Sequence, residues 1–500
     1  MTNHLYDTLI APNAAKTTCF LHTPTSDISF AQFTQATAQI AHTLVERGVA
    51  PGDRVVVQAA KSPLMVMLYA ATIQAGAVFL PLNTGYTHDE LSYFITDATP
   101  KLIICDESSA GPMQTLADQT NAQVLTLNAD GSGSLTQAST AHPTQFPTVP
   151  RDPDDLAALL YTSGTTGRSK GAMLTHENLA SNARVLTEAW QITNADTLIH
   201  ALPIFHTHGL FVAMNTALLA GAKVNFMATF DLDAIIAALP KSTLMMGVPT
   251  FYTRLLSDAR LDQTSTKNMR LFISGSAPLL AETHDAFAAR TGHKILERYG
   301  MTETNMNTSN PYDGDRVAGT IGMALQGTEL RLTDPATGAP IPEGEIGMIE
   351  VRGPNVFKGY WNMPEKTAEE LRENGFFITG DLGQCNAQGY LSIVGRQKDL
   401  IITGGYNVYP KEIEDVLNDI EGVTESAVFG VPHPDFGEAI IAAIVADKDA
   451  NIDTETLKTT VTEKLARFKH PRSYQILPEL PRNTMGKVQK NILRDTYSSP

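Results

Sequence analysis

The chain has 500 residues, more than one small core can organise, so a large subdivided domain and at least one further domain are expected. Its 43% hydrophobic and 18% charged content is that of a soluble globular enzyme, and a net charge of −16 argues against nucleic acid or an anionic membrane as partner. Cys19, Cys105 and Cys385 are isolated, which excludes a disulfide framework and fits a reducing cytoplasm; the first residues lack the pattern of a signal peptide, and no run reaches membrane-spanning length.

From the start, helices and strands alternate. Residues 31–47 read as a helix stopped by Gly48, and Val55-Val56-Val57 as a strand. Pro63 stands near the start of an apolar helix ending at Gly76, with a strand from Val78 to Leu82 behind it. Thr87 to Glu90 has the form of a capping box ahead of Leu91, Phe94 and Ile95, and Lys101 to Cys105 is a further strand. Strands separated by helices predict parallel sheets covered on both faces. From about Asn128 to Asp155 the chain is polar and rich in Gly, Ser, Thr and Pro, hence a surface connection.

That connection leads to Tyr161-Thr-Ser-Gly-Thr-Thr-Gly-Arg-Ser-Lys170-Gly171. An apolar run, Leu156 to Leu160, reads as a buried strand in front, and Thr175 caps a helix carrying Leu179, Ala183, Leu186 and Trp190 behind. Glycines let the backbone approach a ligand, while Thr162, Ser163, Thr165, Thr166 and Lys170 supply donors, a combination suited to phosphate oxygens. It is not a Walker A loop, because Ser169-Lys170-Gly171 stands where Gly-Lys-Ser/Thr would have to begin. The flanking strand and helix argue against a flexible linker.

Further on, a strand from Thr197 to Leu202 opens into Pro203-Ile-Phe-His206-Thr-His208-Gly209. With no third ligand at a recognisable spacing, the histidines read as a polar site wall, or as buried structural groups, rather than metal ligands. Short apolar runs then end in Pro249-Thr250, Gly275-Ser-Ala-Pro278 and Gly300-Met-Thr-Glu-Thr304, the pattern of an α/β ligand crevice. Residues 320–395 are β-rich and contain Thr379-Gly380-Asp381. After Gly395-Arg396-Gln397-Lys398-Asp399 comes a small α/β unit ending in the polar segment Pro481 to Val488.

These stretches, in this order, resemble the adenylate-forming superfamily of acyl-CoA synthetases, peptide-synthetase adenylation domains and firefly-type luciferases. The matches are Tyr161–Gly171, His206–Gly209, Gly275–Pro278, Tyr299–Thr304, Thr379–Asp381, Gly395–Gly405 and Pro481–Lys487, and they span nearly the whole chain. Within the superfamily, Ala201–Phe211, Glu297–Pro311 and Arg352–Trp361 are most similar to the malonyl-CoA synthetase branch. The resemblance implies an α/β fold: a large N-terminal domain (1–397) of layered sheets plus a β-rich subdomain, and a small mobile C-terminal domain (398–500) hinged at Lys398.

The implied chemistry is ligation of malonate to coenzyme A. The carboxylate attacks the α-phosphate of ATP to give an acyl-adenylate and diphosphate, and the thiol of coenzyme A then displaces AMP. Both steps call for charge neutralisation more than covalent help. By resemblance, Thr162, Ser163, Gly164, Thr165, Thr166, Gly167 and Lys170 hold the β- and γ-phosphates. Thr302 meets the α-phosphate, and Glu303 with Thr165 holds Mg²⁺. Gly275, Ser276, Ala277, Tyr299, Gly300 and Met301 frame the adenine, and Asp381 and Arg396 hold the ribose. Lys487 serves the first step, and His208, with His206 as the second candidate, is the site histidine. Gly404, Gly405, Phe436, Phe468, Lys469 and His470 fall where relatives contact coenzyme A.

A second substrate carboxylate needs a buried cation or several donors. Arg254, after Val248-Pro-Thr250, is the first choice and Arg298 the alternative, each with a structural salt bridge as its competing role; His206 is a further candidate. Three other functions share the frame. They are a short- or medium-chain fatty acyl-CoA synthetase, an adenylation domain loading a carrier protein, and a non-catalytic nucleotide-binding protein. A cytoplasmic monomer or homodimer is expected.

Overall fold

The apolar runs of the first 300 residues assemble into two sheets in the computed structural model, which describes residues 2–162, 169–403, 406–447, 450, 452–483 and 486–498. One sheet has six strands, in the order Gln123–Thr126, Leu102–Cys105, Arg54–Gln58, Val78–Pro81, Leu156–Thr162, Lys170–Thr175. All neighbours in it are parallel except the last pair. The other has nine strands. Its parallel centre is Leu296–Met301, Leu271–Ser274, Leu244–Gly247, Thr197–His200, Lys223–Phe226 and Cys19–His22, with antiparallel strands at both edges. Four-residue strands such as Leu102–Cys105 are buried along their whole length, as strands covered on both faces must be.

The helices obey their local signals. Ser29, Thr87 and Thr175 each close a capping box, opening Phe30–Glu46, His88–Ala98 and His176–Ala189. The helix Pro63–Gln74 is apolar all round and correspondingly buried, with Tyr69 against Phe79 and Phe211.

The helix capped by Thr175 stands where the sequence puts it, and two local elements add to that reading. Lys170–Thr175 is itself a strand, antiparallel to Leu156–Thr162 with Thr162 opposite Lys170, so the loop joins a hairpin and the capped helix begins after it. The polar connection 128–155 also carries a short helix, Ser134–Ser139, anchored by the buried Leu135.

The described residues form two compact units: one up to Glu329 together with Val351–Phe377, the other Leu330–Glu350 together with Ile378 onward. The second unit carries most residues of a four-stranded sheet (Glu329–Thr333, Gly347–Arg352, Phe377–Cys385, Leu391–Arg396) and the whole of a five-stranded one. In the latter, Val423–His433 and Gly437–Ala446 form a long antiparallel pair, and Ser473–Leu477 runs parallel to Gly437–Ala446. Helices Pro410–Asn418 and Thr454–Lys464 bury Ile413, Leu417, Leu457 and Val461 in one apolar cluster, while Leu493 of Lys490–Tyr497 joins another with Phe429. Among the described residues no helix is long and apolar enough to cross a membrane.

Candidate active site

In the first unit, the hairpin Leu296–Met301/Asn305–Ser309 turns through Thr302 and Glu303. Glu303 is buried, and its carbonyl accepts a hydrogen bond from Phe357 N at 2.7 Å, which brings the 357–360 segment alongside. Its carboxylate lies 3.1 Å from the Tyr360 hydroxyl and 3.5 Å from that of Thr162. Burial raises the Glu303 pKa above its ordinary value.

Tyr360 connects this carboxylate to Lys170. Its hydroxyl is 2.5 Å from Glu370 Oε2 and accepts from Lys170 Nζ at 3.0 Å, and the lysine also lies over the tyrosine ring. Lys170 Nζ reaches both Glu370 oxygens at 3.0 Å. Burial pushes the Glu370 carboxyl up, but hydrogen bonds from Tyr360, Lys170 and Lys366 outweigh it and hold the pKa below the ordinary value. Tyr360 and Glu370 were not singled out from sequence. Tyr360 lies within the Arg352–Trp361 stretch of the resemblance, while Glu370 has no local signal, because it meets Lys170 only through the fold.

A second group of side chains surrounds Gly275. The imidazole of His208 is buried and lies 3.2 Å from the Ser276 hydroxyl through Nδ1, while Nε2 meets no hydrogen-bond partner among the described residues. Burial, then the nearby Arg298 and His200, hold its pKa well below 6.5, so the ring is neutral. His208 begins a π-helix, His208–Met214, whose residues are all buried. Wide helical turns of this kind often mark functional sites. The carbonyl of Gly209 accepts from His200 Nε2 at 2.8 Å, and His200 Nδ1 in turn accepts from Lys61 Nζ at 2.9 Å. A Cβ at Gly209 would stand 1.9 Å from the Pro203 carbonyl oxygen, so only glycine fits there. His206 is half-buried, with its ring against Phe205.

The two arginine candidates are placed very differently. Arg254 is exposed on helix Pro249–Leu256, its guanidinium 5.4 Å from the centre of the Phe230 ring. Arg298 is 4% exposed, and its Nε and Nη2 meet no hydrogen-bond partner among the described residues. It lies flat against Gly275, where a Cβ would come within 2.3 Å of Cζ. Burial lowers its pKa to about 9. The desolvation argument that pointed to Arg254 therefore passes to Arg298. Ser274, just before Gly275, has a buried hydroxyl with no partner among the described residues.

In the second unit, Asp381 is buried opposite Arg396 in the ladder and pairs with its Nε at 2.9 Å. Lys398 is exposed in the single turn Gln397–Asp399. Phe436 and Phe468 are exposed, the first under the Arg472 guanidinium and the second stacked on Tyr406. Lys469 pairs with Glu412, His470 Nε2 faces the Leu465 carbonyl at 2.8 Å, and Lys487 is exposed. Ser163, Gly164, Thr165, Thr166, Gly167, Gly404 and Gly405 lie outside the described residues.

The chain matches a family model described as AMP-binding enzyme over residues 11–361, and another described as AMP-binding enzyme C-terminal domain over 412–487. It is 55% identical to ATP-bound MatB from Rhodopseudomonas palustris, covering 100% of this chain and 99% of that one with a TM-score of 0.98. It is 35% identical to a malonate–CoA ligase of Arabidopsis thaliana, covering 90% of this chain and 79% of the relative. It is also 35% identical to a feruloyl-CoA synthase of an Amycolatopsis species, covering 94% of each.

Proposed function

The chain belongs to the AMP-binding enzyme family, and on that premise we propose that it joins malonate to coenzyme A in two steps, through malonyl-adenylate, releasing diphosphate and then AMP. Among the relatives at 35% identity a malonate ligase and a feruloyl-CoA synthase are equally similar, so identity at that level does not select the acid. The observation that carries the choice is Arg298, a buried guanidinium with two N–H-bearing nitrogens unpaired among the described residues. Burying a cation is costly without an anionic partner, and a planar guanidinium suits a carboxylate held by two parallel hydrogen bonds. The distal carboxylate of malonate supplies that partner, with the neutral His208 and the Ser274 hydroxyl as neighbouring polar groups.

In this reading Lys170, with the 162–167 loop, takes the β- and γ-phosphates, and Thr302 and Lys487 take the α-phosphate. Gly275–Ala277 and Tyr299–Met301 frame the adenine, while Asp381 and Arg396 are assigned to the ribose. The oxygen donors at Glu303 suit Mg²⁺, which binds through one or two carboxylates together with substrate phosphates, so Glu303 would hold it. When bound, that ion supplies charge neutralisation on the polyphosphate. Lys398 is assigned as the hinge that exchanges the adenylating arrangement for the thioester-forming one, which Gly404, Gly405, Phe436, Phe468, Lys469 and His470 serve. The protein acts in the cytoplasm.

The test is thioester formation from a panel of malonate, methylmalonate, propionate, butyrate and ferulate with ATP and coenzyme A. Malonate should give the highest kcat/KM by at least about tenfold. Equal or better turnover of a monocarboxylate would remove the malonate assignment.

A further inference from the structure

The ammonium of Lys170 has three N–H donors, and the protein already occupies all of them. Glu370 takes it through both oxygens at 3.0 Å and the Tyr360 oxygen accepts at 3.0 Å. A phosphate brought to Lys170 must therefore displace one of these acceptors. The Tyr360 hydroxyl is fixed from two other sides, by Glu370 Oε2 and by Glu303. The carboxylate of Glu370 is the partner that can be released without being left uncompensated. Lys366, one turn earlier on the helix Pro364–Glu370, is shared between Glu370 Oε1 at 3.0 Å and the neighbouring Glu369 Oε2 at 2.7 Å. When Lys170 leaves, Glu370 keeps Lys366 and the Tyr360 hydroxyl, so no carboxylate is stranded.

We infer that Glu370 is a positioning residue that parks the loop lysine: it holds Lys170 in the empty enzyme and competes with the nucleotide polyphosphate for it, while Lys366 sets the strength of that competition by sharing the same carboxylate. This rests on the assignment of Lys170 to phosphate, and it is independent of which acid is activated. The two flanking residues act in opposite directions. Neutralising Glu370 removes the competitor, so nucleotide binding tightens. Removing Lys366 leaves Glu370 with Lys170 as its remaining lysine, so the grip strengthens and nucleotide binding weakens.

The experiment is calorimetric titration of the full-length enzyme with MgATP, without acid or coenzyme A, for the wild type, Glu370→Gln, Lys366→Met and the double variant. Glu370→Gln should lower the dissociation constant about three- to tenfold, and Lys366→Met should raise it by a similar factor. In the double variant the Lys366 substitution should have no further effect, because its route runs through Glu370. Weakened binding in Glu370→Gln, or no change in it, overturns the proposal. A Lys366 effect that persists undiminished in the double variant would show a general field effect and overturns it as well. Parallel weakening in both single variants, with lower melting temperatures, would mean the cluster is only structural. Wild-type protein that binds MgATP but makes no malonyl thioester would sink the malonate reading and leave this one standing.

Discussion

A buried guanidinium with no carboxylate paired to it among the described residues makes the protein less stable than it need be. Arg298→Met removes that charge at similar volume, so its melting temperature should equal or exceed that of the wild type, whereas loss of a structural salt bridge would lower it. The same change should reduce kcat/KM for malonate by about thirtyfold to several thousandfold while sparing propionate and butyrate. A uniform loss over all three acids, together with a lower melting temperature, would return Arg298 to a structural role. Lys487 is a different kind of residue, exposed and assigned to charge forming at the α-phosphate. Lys487→Ala should cut adenylate formation about a hundredfold or more, the range for removing one preorganised donor. Thioester formation from supplied malonyl-adenylate should be much less affected, and equal losses in the two half-reactions would count against the role. At this scale the sequence is informative about residue type but not about placement. Arg254 and Arg298 both stand beside site motifs, and only the fold decides that one is exposed and the other enclosed.

Among the elements, legibility follows the range of the forces involved. Capping boxes are closed by residues three apart, so Ser29, Thr87 and Thr175 mark helix starts correctly from local chemistry alone. The strand Lys170–Thr175 is not legible locally because its short run, Lys-Gly-Ala-Met-Leu-Thr, has weak alternation. It becomes a strand by pairing with Leu156–Thr162. The π-helix His208–Met214 leaves no periodic signal at all. Its first turn is held by the Gly209 carbonyl, which is bonded to His200 and through it to Lys61, 139 residues from His200. Gly209→Ala tests this arrangement. A methyl group 1.9 Å from the Pro203 oxygen cannot be accommodated without moving the backbone that carries His208. The variant should lose about 1–3 kcal/mol in urea denaturation and should also lose malonate kcat/KM. Wild-type stability would mean that the Pro203 loop yields freely.

For the whole molecule, two consequences can be measured. Lys398→Pro fixes φ at the proposed hinge, so the variant should accumulate enzyme-bound malonyl-adenylate in a quench experiment and fail at thioester formation. Wild-type turnover would end the hinge assignment. Stability should also fall on mild acidification. His176 and His200 are buried, and burial first, then neighbouring cations, hold each pKa at about 3. Below about pH 6.5 the unfolded chain binds protons that these folded histidines refuse, so each costs about 1.4 kcal/mol by pH 5.5 and more towards pH 3. The unfolding free energy from urea titrations should fall between pH 7.5 and 5.5 by about 1 kcal/mol less in His176→Gln than in wild type. An equal drop would show that His176 is not held neutral by the fold. The division of the chain has another consequence, in time rather than energy. The segment Val351–Phe377 belongs to the first unit but follows Leu330–Glu350 of the second. Lys170 and Glu370 are separated by 200 residues of sequence. At roughly 5–20 residues per second, a ribosome takes about 10–40 seconds to travel from one to the other. A nascent chain thus displays its loop lysine before either Tyr360 or Glu370 has been made, and the first unit cannot close until part of the second has already left the ribosome.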